Sequence, residues 1–127
     1  MITLAGIELP PYLEWEDEFS WTPVDQQTGY SVTGSLLLDI STKLAGRPIT
    51  LVGTEHLGWI TRALLLDLQT LTDTPDIREL DYHGRIFSTR FRYDGGDPVT
   101  ATKIIPRIPP RATDPYRNLK IKLISVG

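Results

Sequence analysis

The chain has 127 residues, a length that suits one domain with a real core and leaves little room for a second. It contains no cysteine, which excludes a disulfide framework, a thiolate nucleophile and any thiolate metal site. Its net charge of −3 is unevenly spread: residues 1–42 hold seven acidic and no basic side chains, whereas residues 77–127 hold ten basic and five acidic ones.

That polarity admits two readings, a nucleic-acid footprint on the basic side or complementary docking between subunits. The acidic balance of the whole chain favours docking. The opening MITLAGIELPPY lacks a basic n-region and a sustained apolar run, so no signal peptide is expected. Ala63 to Leu68, the longest apolar stretch, is too short to cross a bilayer. A soluble domain made in the cytoplasm, with no membrane partner, is expected.

In chain order, Leu13 to Trp21 alternates. Trp15, Asp17, Phe19 and Trp21 share one face of an extended segment, with Glu14, Glu16, Glu18 and Ser20 on the other. The following TPVDQQTG is rich in turn formers and reads as a connection. Tyr30 to Ile40 alternates again, and Ala45 to Pro48 turns into a short strand, Ile49 to Val52.

The next segment predicts the one helix, at about 54–72, with Thr54 as N-cap and Glu55 in its first turn. Leu57, Ile60, Leu64, Leu68 and Leu71 recur at helical spacing, and Thr72-Asp73-Thr74-Pro75 ends the run. Trp59 and Leu66 fall nearly opposite that stripe, as incidental surface apolarity or as a second face held against a neighbour.

After the helix the period returns to two. Arg78 to Tyr82, His83-Gly84 and Arg85 to Tyr93 read as a hairpin, with Phe87, Thr89, Phe91 and Tyr93 facing one way and Ile86, Ser88, Arg90 and Arg92 the other. Asp94 to Pro98 turns into Val99 to Ile105. PRIPPRATDPY is expected to be an extended loop, and Asn118 to Val126 a closing strand with Leu119, Ile121 and Leu123 on one face. The sum is a mainly β, antiparallel sandwich or barrel of six to eight strands with one flanking helix, in a single domain.

EWEDEFSW, residues 14–21, places four carboxylates among three aromatics and invites a glycosidase reading. General acid–base catalysis needs carboxyls on opposite sides of a cleft, and Glu14, Glu16 and Glu18 share one strand face. Asp17 alone projects among the aromatics, where a backbone amide or an arginine is its expected partner. His56 and His83 lie in no triad-like order or metal-ligand spacing, and no glycine run has phosphate-binding spacing. Neither an enzyme, a metal nor a cofactor is expected. Arg85, Arg90 and Arg92 near Phe87 and Phe91 resemble a base-stacking sheet, but parity sends Phe87 and Phe91 away from Arg90 and Arg92, which counts against nucleic acid.

The order of several pieces resembles small proteins encoded in the tail gene clusters of long, flexible-tailed bacteriophages and prophages. They are L-x-G-I-x-L-P at Leu4 to Pro10, W-x-D-E-F-x-W-x-P-V at Trp15 to Val24, S-V-T-G-S-L-L at Ser31 to Leu37 and A-G-R-P-I-T-L at Ala45 to Leu51. W-I-T-R at Trp59 to Arg62, H-G-R-x-F at His83 to Phe87 and Y-R-N-L-K-I-K-L-I-S-V at Tyr116 to Val126 follow. The layout is also similar to the tail-tube fold and to the ring domain of distal tail proteins, in which a β-sandwich with a flanking helix assembles as a hexameric ring.

The resemblance implies a structural part of the virion tail tip or baseplate that forms a ring and joins the tail tube to tip or fibre proteins. The chain departs from those families in lacking a second, carbohydrate-binding or carrier domain, and the long inter-ring hairpin of tail tubes has no obvious counterpart in its sequence. Candidate interface residues are Glu14, Glu16 and Glu18 opposite Arg85, Arg90 or Arg92 of a neighbour, Trp59 and Leu66 on the helix, and Pro109 and Pro110 in the proline-rich loop. The alternative is a module that binds glycan or nucleic acid through its aromatic and basic residues.

Overall fold

The computed structural model describes residues 1–42, 46–94 and 96–126. Its organising element is the last strand, β11 (Pro115–Ser125), which alternates as the sequence predicts: Leu119, Ile121 and Leu123 are fully buried, while Lys120, Lys122 and Ile124 are half-buried. Eleven residues give it room for four neighbours, β9 (Arg85–Phe91) and β10 (Val99–Lys103), and β6 (Pro48–Val52) and β7 (Ile60–Thr61). Asn118 sits at φ 53°, beside a register shift between Thr100 and Thr102 of β10. A bulge there bends and twists the long strand.

From β11 the nine-stranded antiparallel sheet runs outward through β9, β8 (Arg78–Tyr82) and β1 (Ile2–Leu4) to β2 (Ile7–Leu9), and through β6 to β3 (Glu14–Trp15). The β3 end curls back over the middle of the sheet. Trp15 of β3 meets Tyr82 of β8 and Phe87 of β9 edge-on, with ring centroids 5.7 and 5.3 Å apart, and the Tyr82 hydroxyl donates to the Leu13 carbonyl at 3.1 Å. Among the described residues the chain is mainly β with one helix, as its periodicity predicts.

Two tight turns close the β8–β9 and β1–β2 hairpins by the same device. His83-Gly84 and Ala5-Gly6 all have positive φ, and this pair of conformations matches the right-handed twist of the strands they join.

The helix α1 (Arg62–Leu71) starts at Arg62 rather than at Thr54. Thr54 does cap a turn, its hydroxyl accepting from the amides of His56 and Leu57 at 3.3 and 3.0 Å. Gly58, at φ 77°, then ends that turn in the left-handed region. Thr61 is the working N-cap, its hydroxyl accepting from the Leu64 amide. Leu68 is fully buried beneath the helix, with Leu64, Leu65 and Leu71 packed at its margins, while Leu57 lies outside the helix and is exposed.

The chain between Thr22 and Thr42 departs most from the sequence reading. TPVDQQTG forms no connection: β4 (Val24–Tyr30) and β5 (Leu36–Thr42) are a separate two-stranded hairpin. The expected strand Tyr30 to Ile40 is interrupted at its centre by the turn Ser31–Ser35, held by the Ser31 amide on the Ser35 carbonyl at 2.8 Å and by Gly34 at φ 84°. The expected turn at Ala45 to Pro48 falls partly on residues 43–45, outside the described residues.

Candidate functional site

The acidic–aromatic segment has a structural occupation. Only Glu14 and Trp15 are extended; residues 16–19 form a turn, closed by the Glu18 amide on the Trp15 carbonyl and the Ser20 amide on the Asp17 carbonyl, so the alternation expected through Trp21 stops at Trp15. The turn swings Phe19 into solvent. It also aims Asp17 at β6, where Oδ1 accepts from the Thr50 amide and Oδ2 from the Thr50 hydroxyl, both at 2.9 Å. Trp15 is buried, and the Arg47 and Arg85 guanidinium carbons lie 5.4 and 4.9 Å from its ring centroid. Arg47 also lies 5.4 Å from the Trp21 ring.

Arg85 completes this cluster by pairing with Glu18 of the same chain. Its neighbour Arg92 donates to the Thr50 hydroxyl. Arg90 is exposed, as are Glu14 and Glu16. The charges proposed to meet across subunits therefore divide: Glu18 and Arg85 meet within the chain, whereas Glu14, Glu16 and Arg90 remain on the surface.

Glu16, Asp17 and Asp94 share a cleft of about 280 Å³ with Arg92, Lys120 and Lys122, floored by Thr50. Its carboxylates and cations balance in number, and Asp17 is held by Thr50. His83 lies against the Met1 amino group, with Nδ1 2.9 Å away, and His56 is exposed. Among the described residues no group of three or more His, Cys, Asp or Glu is placed to hold a metal ion, and no helix is long and apolar enough to cross a membrane.

Trp59 precedes the helix rather than lying within it. Its indole N–H donates to the Glu55 carbonyl at 2.9 Å, which fixes the ring as one wall of a groove of about 360 Å³ with Leu9, Pro10 and Leu64. Trp59 and Leu66 are each about half exposed, at 46% and 50%.

The proline-rich segment is less extended than expected. Asp114, 3% exposed, anchors it: Oδ1 takes the Arg107 guanidinium at 2.7 Å and Oδ2 the Arg111 amide at 2.9 Å. Lys103 Nζ donates to the Arg107 carbonyl at 3.0 Å. The segment is thus a bent, internally tied loop with Pro109 exposed and Pro110 half-buried, and at its crest Ile108 is 93% exposed.

The largest feature that sequence reasoning missed is the β4–β5 hairpin. Its register places Val24, Gln26, Thr28 and Tyr30 across from Thr42, Ile40, Leu38 and Leu36 on one face. Tyr30, Leu36, Leu37, Leu38 and Ile40 are each more than half exposed. A two-stranded hairpin is marginally stable alone in water. The one available signal was the S-V-T-G-S turn, hidden inside an unbroken alternation.

Comparison with protein-family models, curated proteins and solved structures gives no match to this chain.

Proposed function

We propose that the chain is a structural component of a bacteriophage tail tip or baseplate, which self-assembles into a ring and joins the tail tube to the tip proteins. The observation that carries this reading is the β4–β5 hairpin, a separate pair of seven-residue strands whose leucines, isoleucine and tyrosine are more than half exposed. An element of that kind gains by docking on another protein, since the apolar area it exposes is worth roughly 25 cal/mol per Å² once removed from water. The layout of strands with one helix is similar to the tail-tube fold, in which a long hairpin reaches between rings.

Two further features support assembly. Exposed Glu14 and Glu16 and exposed Arg90 are available for complementary docking between different surfaces, as head-to-tail association in a ring requires. Trp59, with its N–H already satisfied, presents its ring to an apolar groove, where an aromatic anchor is well placed to bind a partner.

The reading is tested by the mass of the purified chain in solution, alone and with tail-tube and tip proteins. A ring of about six subunits, or a stable complex with those proteins, is expected. A chain that stays monomeric and binds none of them refutes it.

A further inference from the structure

The β4–β5 hairpin carries a hollow as well as an apolar face. Gly29 stands directly across from Leu37 in the register, so one side chain of that cross-strand pair is missing. The resulting depression, about 240 Å³, is lined by Gln27, Thr28, Gly29, Leu37 and Leu38. Small-molecule sites are usually about 300–1,000 Å³, so the hollow falls just below that range. Glycine is not demanded by the fold at this position: its φ is not positive, and a Cβ built there meets nothing within 4 Å. In a strand glycine weakens pairing, and the open space beside it leaves room for another chain to approach.

The same chain presents a knob of matching character. Ile108 is 93% exposed, and the loop beneath it is pinned by Asp114 through the Arg107 guanidinium and the Arg111 amide. A branched apolar side chain held in water on a tied loop is preorganised for burial against a partner, with little ordering cost left on binding. The electrostatics agree. Residues 24–42 contain two acidic and no basic residues, whereas residues 103–114 contain Lys103, Arg107 and Arg111 against one acidic residue, Asp114, which pairs with Arg107. Opposite charge around an apolar contact steers and orients association. It also disfavours pairing of two hairpins with each other.

We propose that Ile108 of one copy seats in the Gly29–Leu37 hollow of a second copy, with the basic loop against the acidic hairpin. Knob and hollow are different surfaces of one chain, so the joint is head-to-tail and propagates until a ring closes. This rests on the assembly reading above and supplies it with a specific joint.

The absence of native cysteine makes the joint directly testable. Gly29→Cys and Ile108→Cys chains are mixed and mildly oxidised, and the rate of heterodimer formation is compared with that of Gly29→Cys mixed with Asp73→Cys, an exposed control. The proposed joint predicts cross-linking at least tenfold faster for the first mixture. Separately, Gly29→Val should keep the thermal unfolding profile while weakening self-association tenfold or more, because it fills the hollow without an internal clash. Equal cross-linking rates, or unchanged association of Gly29→Val, in chains that still assemble overturn the joint and leave the assembly reading standing. Equal cross-linking rates, together with a wild-type chain that stays at monomer mass and binds no tail-tube or tip protein, overturn both.

Discussion

Replacing Asp17 by alanine separates a structural carboxylate from a catalytic one. The side chain accepts two hydrogen bonds, from the Thr50 amide and hydroxyl at 2.9 Å each, and so ties the 16–19 turn to β6. Hydrogen bonds to a charged group are worth about 1.5–3 kcal/mol each in net stability. Asp17 is only half-buried, so water recovers part of that, but Thr50 is 6% exposed and its amide would lose this acceptor. The expected cost of Asp17→Ala is roughly 2–3 kcal/mol, or a fall in Tm of roughly 6–15 °C for a domain of this size. Asp17→Asn keeps one acceptor and should lose about half as much. Glu14→Ala, on the exposed side of β3, should stay within about 0.5 kcal/mol of the parent. Urea unfolding of the three variants measures all of this. An Asp17→Ala chain as stable as Glu14→Ala would show that the carboxylate does not hold the turn.

Gly58→Ala places a Cβ in the left-handed region and within 3.1 Å of Leu13 Cδ2 and Gly53 Cα, so it should cost roughly 2–4 kcal/mol by the same unfolding assay. Trp59→Ala should leave a folded domain, about 1–2 kcal/mol less stable because the ring is half exposed, that assembles poorly by sedimentation; a loss of about 3–5 kcal/mol would instead place Trp59 in the core. Reversing charge at Glu14 and Glu16 together should weaken self-association and leave the unfolding curve unchanged, whereas Glu18→Lys, which breaks the intrachain pair with Arg85, should lower stability by about 1 kcal/mol or less. Intact assembly in the Glu14 and Glu16 double variant would remove those residues from the interface.

The parts of the fold legible in the sequence are those where a local rule and burial agree. β11 reads correctly because Leu119, Ile121 and Leu123 all go to one core, and β8–β9 because His83-Gly84 supplies the turn its twist requires. The β4–β5 hairpin escaped for the opposite reason: it buries too little to impose a pattern on β4. Its leucines continue in phase with Tyr30 and Val32 across the turn, so one hairpin arm and its loop read as a single strand. The helix starts later than its spacing predicts because Leu57 and Ile60 keep helical spacing across Gly58, whose φ of 77° stops the first turn. The Glu18–Arg85 pair joins residues far apart in sequence through the curl of the sheet, which no spacing encodes.

Assembly through the hairpin is the central claim, and it is tested most directly by sedimentation of the parent chain beside one in which residues 25–41 are replaced by a short glycine linker. The hairpin forms its own two-stranded sheet, so the nine-stranded sheet keeps all its pairings without it. The parent should sediment as a ring of about six subunits, and the shortened chain as a folded monomer. A parent that remains monomeric at about 100 μM, a concentration at which even a modest interface of about 8 kcal/mol is populated, would contradict the account.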